Sequence, residues 1–210
     1  MINISVSAEN LCKNFGRRFV FKNLNFIFDK PGIYGIAGIN GSGKTTLAKI
    51  ISGVLSPSQG KIYCSVNSLK INPEEIQKYI GYAAPYVVFY DEFTAYENLK
   101  MLSVIQGIDF NSNRCEKLLT EFGLYERRNE HLSNYSSGMK QRIKIIFAMM
   151  NNLPLIIFDE PITNLDSAGK EIFYRLLKQQ AINSLIIIAS NEEADLALCS
   201  KIIIMENFRK

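Results

Sequence analysis

A short apolar run that leads into a glycine-rich motif constrains this chain more than any other feature. Residues 33–37 predict a buried strand, residues 38–45 read Gly-Ile-Asn-Gly-Ser-Gly-Lys-Thr, and residues 44–53 predict a helix. In such a strand–loop–helix unit the glycines let backbone N–H groups turn inward around a phosphate, and the helix N-terminus adds its partial positive charge. Average composition produces this motif by chance in about 1% of chains of this size.

The polar side chains of the motif extend the prediction to a nucleoside triphosphate and its metal ion. Lys44 is expected to reach the β- and γ-phosphates, and the Thr45 hydroxyl is expected to ligate Mg²⁺. The nucleotide-binding residues predicted for this loop are Gly38, Ile39, Asn40, Gly41, Ser42, Gly43, Lys44, Thr45 and Thr46.

A second apolar run, residues 155–158, ends in two carboxylates, Asp159 and Glu160. Ligands of open α/β sheets bind at the carboxyl ends of the strands, so both side chains are expected at the phosphate site. Asp159 is predicted to hold Mg²⁺ through water, and Glu160 to orient or deprotonate the attacking water. For an isolated pair the alternative is a solvated acidic strand end; the upstream Lys44 favours the catalytic interpretation.

Short β-rich runs alternate with amphipathic stretches, a pattern typical of an α/β domain with a mainly parallel sheet. Residues 3–8 and 19–28 alternate in polarity and predict antiparallel edge strands, and 92–150 fits three or four helices. Further strands are predicted at 60–66, 79–83, 155–158, 185–189 and 202–205. We therefore expect one domain over 1–210. A P-loop NTPase core with an N-terminal antiparallel β-subdomain takes up 1–91 and 151–210, and an inserted helical subdomain takes up 92–150.

Composition favours a cytoplasmic protein. The net charge of +4 fits nucleotide binding without requiring it. No run of about 18 apolar residues exists, and the N-terminus lacks a basic leader followed by an apolar run. The four cysteines are scattered without a CxxC pair, which predicts free thiols and no cysteine metal site: Cys12, Cys64, Cys115 and Cys199.

Residues 134–142 read Asn-Tyr-Ser-Ser-Gly-Met-Lys-Gln-Arg and lie shortly before the acidic strand. This segment resembles the signature sequence of the ATP-binding cassette (ABC) family, Leu-Ser-Gly-Gly-Gln in its commonest form, with Ser136 and Gly138 retained. A serine here would also cap the following helix, and in the family both interpretations hold at once. The resemblance implies that this helix N-terminus points at the γ-phosphate bound by a second cassette, through Ser136, Ser137, Gly138 and Met139.

Further segments match the same family, so the resemblance covers nearly the whole chain. Residues 161–166 resemble the D-loop, which crosses the dimer interface and comprises Asn164, Leu165 and Asp166. Phe15 stands 29 residues before Lys44, where the family places an aromatic ring that stacks on adenine; the alternative is a core phenylalanine at a strand end. Residues 80–82 and 90–99 resemble the stretch that leads into the helical subdomain, which contacts the membrane subunit in transporters.

Two positions depart from the family pattern. The family has a glutamine that touches Mg²⁺ and the attacking water where this chain has Pro85, and proline supplies no polar side-chain group. The switch histidine after the last core strand aligns with Asn191, which donates a hydrogen bond but cannot become cationic. With Glu160, Lys44 and Asn191 as the catalytic residues, the resemblance implies a working but slow ATPase, with an inactive half-site as the alternative.

The function implied by the resemblance is ATP-driven dimerisation that energises a transporter. The expected cofactors are ATP and Mg²⁺, and the expected partners are a second cassette, identical or different, and a separate transmembrane permease. No direct contact with nucleic acid is expected, and the location is the cytoplasmic face of a membrane. The compact chain resembles the ATP-binding subunits of exporters. The alternatives are a soluble ABC ATPase that acts on ribosomes or DNA, and a low-turnover regulatory subunit.

Overall fold

The computed structural model describes residues 4–209 and contains two sheets. The strands of this part of the chain are β1 (Ile4–Phe15), β2 (Arg18–Phe28), β3 (Gly32–Ala37), β4 (Gln59–Val66), β5 (Leu69–Lys70), β6 (Ile80–Ala83), β7 (Leu155–Asp159), β8 (Leu185–Ser190) and β9 (Lys201–Ile204). The helices are α1 (Lys44–Ile51), α2 (Ala95–Ile105), α3 (Ser112–Glu121), α4 (Ser137–Met149), α5 (Ser167–Gln180) and α6 (Glu193–Leu196).

The central sheet is parallel, with strand order β6-β7-β8-β3-β9. Strands β7 and β8 are buried along their whole length, as expected for parallel strands that are covered on both faces. The predicted strands of this sheet agree with the observed bounds to within one residue at each end. The sheet therefore brings the ends of β3, β7 and β8 together at one edge, where the phosphate loop begins.

The second sheet is antiparallel, with order β2-β1-β4-β5. The prediction of two edge strands is wrong for β1, which pairs with β2 on one side and β4 on the other. The strand predicted over 3–8 continues to Phe15, because bulges between Ala8 and Leu11 break the alternation of polarity without ending the pairing. Position 3 lies outside the described residues.

Three α-helices, α2, α3 and α4, follow one another between β6 and β7, in agreement with the expected helical insertion. Thr94 and Glu97 form a reciprocal capping box at the start of α2, and Ser136 caps α4. The boundaries of a helical subdomain at 92 and 150 remain a prediction. Among residues 4–209, no helix has the length and apolar character needed to span a membrane.

The core consists of two apolar layers, one on each face of the parallel sheet. Alternate residues of β7 and β8 point to opposite faces: Phe158 packs with helices α2 to α5, whereas Ile157 packs with α1 and the antiparallel sheet. The antiparallel sheet and the helical insertion therefore lie on opposite sides of the strands that carry the site.

Helix α4 lies directly against β6. A Cβ atom built on Gly81 would lie 1.9 Å from the Ala148 carbonyl oxygen, so only glycine allows the backbones of strand and helix to approach this closely. Two side chains of α4 extend the contact, because Lys144 Nζ donates to the Pro85 carbonyl and Gln141 Nε2 donates to the Pro161 carbonyl, each at 2.8 Å. The signature helix is thus attached to the segments that follow both β6 and β7.

Candidate nucleotide-binding site

A cavity of about 860 Å³ opens at the carboxyl ends of the parallel strands. Six segments of the chain contribute to its wall: the β1–β2 hairpin, the phosphate loop, the segment after β6, the loops after β7 and β8, and the segment after β9, which supplies Arg209. The lining residues include Phe15, Asn40, Gly41, Gly43, Lys44, Thr45, Thr46, Pro85, Glu160 and Asn191.

The phosphate loop takes a conformation that depends on its glycines, two of which, Gly41 and Gly43, line the cavity. Gly41 and Gly43 have φ values of +78° and +110°, and a Cβ atom on Gly43 would lie 2.6 Å from Val20 Cγ1. Gly43 is followed at once by α1, and no described side chain caps the first turn of that helix. Its first backbone N–H groups therefore remain available to an anion.

Lys44 is almost fully buried and connects the loop to the acidic strand. Its Nζ donates to the Gly38 carbonyl at 2.8 Å and lies 3.2 Å from Glu160 Oε1. Glu160 has a left-handed backbone with φ of +52°, and its N–H donates to the Ala189 carbonyl at 2.9 Å. This turn directs the Glu160 side chain away from the strand axis and toward Lys44.

Asp159 is fully buried, and neither of its carboxylate oxygens has a hydrogen-bond partner of normal geometry within residues 4–209. Burial raises the pKa of Asp159, while the Thr45 hydroxyl, Lys44 and Lys49 act in the opposite direction. A carboxylate and a hydroxyl are the kind of oxygen ligands that Mg²⁺ prefers. The residues present therefore fit a magnesium ion between Asp159 and Thr45.

The aromatic residue at the end of β1 is exposed. Phe15 has 57% of its surface accessible, so it is not a core residue, and Lys13 Nζ lies 4.9 Å from its ring centroid. On the opposite side of the cavity, Asn191 is exposed in the turn after β8. The Glu192 N–H donates to Ser190 Oγ at 3.1 Å and holds this turn in place.

The residues after Tyr135 form a separate surface depression, which we call the signature surface, lined by Ser136, Ser137, Gly138, Met139, Arg142, Asn164 and Asp166. Ser136 Oγ accepts the Met139 N–H at 3.3 Å, so the serine caps α4 as expected. A Cβ atom on Gly138 would lie 2.7 Å from the Asn164 carbonyl oxygen. None of these residues lines the cavity around Lys44.

A profile of the ABC transporter family matches residues 21–163, which is more than half of the chain. The chain belongs to the ABC transporter family. It is 35% identical over 164 residues to the bacitracin transport ATP-binding protein BcrA of Enterococcus faecalis, a match that covers 78% of this chain. The chain spans only about half of that relative, 53% of its length.

A further relative and a solved structure support the place of the chain among ABC ATP-binding subunits, and a second solved structure shares its fold. The ABC transporter ATP-binding protein NatA of Bacillus subtilis (strain 168) is 31% identical over 196 residues, which cover 89% of this chain and 78% of NatA. A solved ATP-binding subunit of an ABC transporter is 28% identical and superposes with a TM-score of 0.82 over 95% of this chain and 85% of that subunit. The dimeric structure of a bacterial ABC transporter cassette, 24% identical, shares the fold with a TM-score of 0.83 over 95% of this chain and 93% of that cassette.

The structure brings most of the residues predicted for the ABC nucleotide site to one cavity, with four exceptions. Gly38, Ile39, Ser42 and Asp159 do not line it: Ile39 is turned to solvent, whereas Ser42 and Asp159 are buried. Leu165 of the D-loop segment packs into the core, so only its neighbours Asn164 and Asp166 reach the ABC signature surface.

Two residues near the ABC site were missed by sequence reasoning. Glu206 follows β9, and its Oε1 accepts the Ile39 N–H at 2.6 Å; this hydrogen bond is the main reason why the pKa of Glu206 is lowered. Tyr86 follows Pro85 and packs beneath α1. The position of Glu206 at the carboxyl end of a predicted parallel strand is a usable sequence signal, whereas no local pattern marks Tyr86, because its burial depends on packing against α1.

Proposed function

We propose that the chain is the ATP-binding and ATP-hydrolysing subunit of an ABC transporter, and that ATP drives two cassettes to pair. The observation that carries the proposal is the cavity in which four separate segments bring Phe15, Lys44, Thr45, Glu160 and Asn191 together. The inward N–H groups of the loop, a buried cation and an aromatic ring suit a nucleotide with an anionic tail.

In the proposed reaction Lys44 changes partners. It now contacts Glu160, and when it contacts the β- and γ-phosphates instead, the Glu160 carboxylate becomes available to accept a proton from water. Asn191 donates to the γ-phosphate from the opposite wall, and Phe15 stacks on adenine. Thr45 and Asp159 would hold Mg²⁺, and the ion would supply positive charge beside the phosphate oxygens.

The signature surface supports the pairing of cassettes. Ser136, Gly138 and their neighbours lie apart from the cavity of their own chain, so a phosphate contact requires a second cassette placed head to tail. Asn164 and Asp166 lie on the same surface, where the D-loop of the family crosses between subunits. Two copies of this chain, or this chain with a different cassette, satisfy the requirement equally.

A separate transmembrane permease is the other partner that we propose, with the chain on the cytoplasmic face of a membrane. The support is the segment 90–99, which resembles the permease-contacting stretch of the family. Two of its aromatic side chains, Tyr90 and Phe93, are 52% and 42% exposed. The compact cassette favours an exporter. We propose no contact with nucleic acid.

We propose that turnover is slow. Pro85 lines the cavity without a side-chain polar group, and the neutral Asn191 replaces a group that becomes cationic. Neutral hydrogen bonds stabilise developing charge less than charge-assisted ones do. The same two residues favour a second candidate function, a regulatory subunit that binds ATP with little hydrolysis.

Isothermal titration calorimetry with Lys44→Ala tests the proposal. Charge-assisted hydrogen bonds contribute about 1.5–3 kcal/mol, so ATP affinity is expected to fall at least about tenfold. Lys178→Ala, which removes an exposed lysine from the last turn of α5, is the matched control and keeps full affinity. Equal affinity of wild type and Lys44→Ala would show that the loop is not the phosphate site.

A further inference from the structure

A second cavity, of about 410 Å³, lies at the edge of the parallel sheet opposite the nucleotide site. Pro154 precedes β7 and Ser184 precedes β8, whereas the nucleotide cavity lies where these strands end. Among residues 4–209, none lines both cavities. The second cavity therefore lies between the helical insertion and the core, and it is lined by Arg114, Asn152, Pro154, Gln179, Gln180, Asn183 and Ser184.

Arg114 supplies the charge of this cavity. Its side chain is partly buried. Its Nη2 donates to Gln180 Oε1 at 2.9 Å, and its Nε is buried without a partner within the described residues. No acidic residue of that part of the chain lines the cavity, and burial lowers the pKa of Arg114. A guanidinium stays cationic in proteins, so the cavity holds a positive charge that faces only neutral groups.

The same pair of helices contains an arginine that does have a counter-charge. Arg175 of α5 forms an ion pair with Glu121 at the end of α3, whereas Arg114 at the start of α3 contacts the neutral amide of Gln180. Taking a cation out of water costs free energy unless an opposite charge compensates for it. An anion from solution would supply at Arg114 what Glu121 supplies at Arg175.

The amide that faces Arg114 is held in place by a buried chain of hydrogen bonds. Gln180 and Ser184 are only 8% and 2% exposed. Gln180 Nε2 donates to Ser184 Oγ at 2.9 Å, and Ser184 Oγ donates to the Leu153 carbonyl at 3.0 Å. Because the amide nitrogen is used in this chain, the amide oxygen is directed at Arg114. The guanidinium is thereby oriented in advance, which lowers the entropic cost of pairing with a ligand.

We propose that this cavity binds a small organic anion through a single carboxylate group, with Arg114 as its cationic ligand. A guanidinium matches a carboxylate in shape and forms two parallel hydrogen bonds with it. A phosphate group carries a charge of about −1.5 to −2 near neutral pH, which one arginine does not balance in a partly buried place. The volume also lies within the range of small-molecule sites, about 300–1,000 Å³, and exceeds what a bare ion fills.

Nuclear magnetic resonance of the full chain with isotope-labelled arginine tests the proposal, with sodium acetate as the probe. The Arg114 Nε–H signal is assigned by its loss in Arg114→Gln. On titration with acetate this signal is expected to shift and to saturate, with half-saturation on the order of 10 mM for so small a ligand. The Arg175 signal is the control within the same molecule, because Glu121 already pairs with that guanidinium, and it is expected to stay in place.

Thermal unfolding gives a second measurement, in which Arg175→Gln is the matched control for Arg114→Gln. Sodium acetate at about ten times the half-saturating concentration is expected to raise the Tm of the wild type by about 3 °C relative to sodium chloride of equal ionic strength. Arg175→Gln is expected to show the same rise, whereas Arg114→Gln shows none. An equal rise in all three proteins would overturn the inference.

An Arg114 signal that does not move, or that moves equally in sodium chloride, would also overturn it. Tighter binding of inorganic phosphate than of acetate would overturn the assignment to carboxylates. These results would leave the proposed function intact, because the two cavities share no lining residue among those described. Failure of the wild type to bind ATP would instead remove the proposed function and leave the anion site standing.

Discussion

In the proposed function the cavity around Lys44 and the signature surface are two halves of one reaction site, yet their construction differs. The cavity is formed by six segments, and two charges at its base are paired or enclosed: Lys44 contacts Glu160, and Asp159 is fully buried. The signature surface is an exposed helix start whose first N–H groups are capped by Ser136 of the same helix.

The comparison shows which half determines affinity and which determines assembly. Buried and preorganised charges bind a ligand without the help of another subunit. An exposed helix N-terminus contributes about half a positive charge and a few N–H groups. These groups contribute to binding only when a partner brings a phosphate to them. Mutations in the two halves should therefore have separable effects, and the following predictions test that separation.

The largest effect is expected for Glu160→Gln. Loss of a general base typically costs about 10²–10⁴-fold in rate, whereas ATP binding remains, because the phosphate loop is intact. Because the nucleotide stays unhydrolysed, paired cassettes are expected to accumulate. Light scattering with Mg-ATP detects them. Glu192→Gln, a change in the same cavity, is the control. A Glu160→Gln protein that stays monomeric at high concentration would indicate a different cassette as partner.

Gly138→Ala tests the other half. The added methyl group would meet the Asn164 carbonyl at 2.7 Å and displace the signature surface, so turnover is expected to fall about tenfold or more with ATP affinity unchanged. Mixing Gly138→Ala with Lys44→Ala sharpens the test. A mixed pair joins one intact cavity to one intact signature surface, so the mixture should hydrolyse ATP faster than either variant alone. No recovery on mixing would argue against composite sites between copies of this chain.

Asn191→Ala is expected to lower turnover below the wild-type rate by about tenfold, because removing a donor at a charge-developing centre typically costs about a hundredfold or more and a neutral amide supplies only part of that. ATP affinity should change little, since Lys44 and the loop hold the ground state. Asn191→His is expected to raise turnover. Steady-state phosphate release measures all three proteins, and a wild-type rate in Asn191→Ala would place residue 191 outside the site.

The smallest effect is expected for Glu206→Ala, which removes the acceptor of the Ile39 N–H. A hydrogen bond of this kind contributes about 1 kcal/mol, so ATP affinity should fall roughly fivefold with kcat unchanged. Glu206→Gln keeps an acceptor and is expected to bind ATP as well as wild type. Equal losses in both variants would show that the charge of Glu206, and not the hydrogen bond, shapes the loop.

Much of this arrangement could be predicted from the sequence, because the decisive signals are local. The glycine spacing before Lys44 and the apolar run before Asp159 each specify a strand end and its chemistry without reference to the rest of the chain. The position of β1 inside its sheet could not be predicted, because pairing with β4 depends on residues some 50 positions away. The Tyr86 hydroxyl was missed for a similar reason, since only packing against α1 and β6 reveals that it is buried.

The contact between Gly81 and Ala148 joins strand β6 and helix α4 backbone to backbone. With strand and helix backbones this close, neither slides past the other without opening the sheet edge. Lys144 ties the same helix to Pro85, the residue before Tyr86. A tilt of α4 that brings Ser136 toward a partner's nucleotide would therefore also move the segment beside Asp159. Formation of the pair and alignment of the metal ligand would then be one mechanical event.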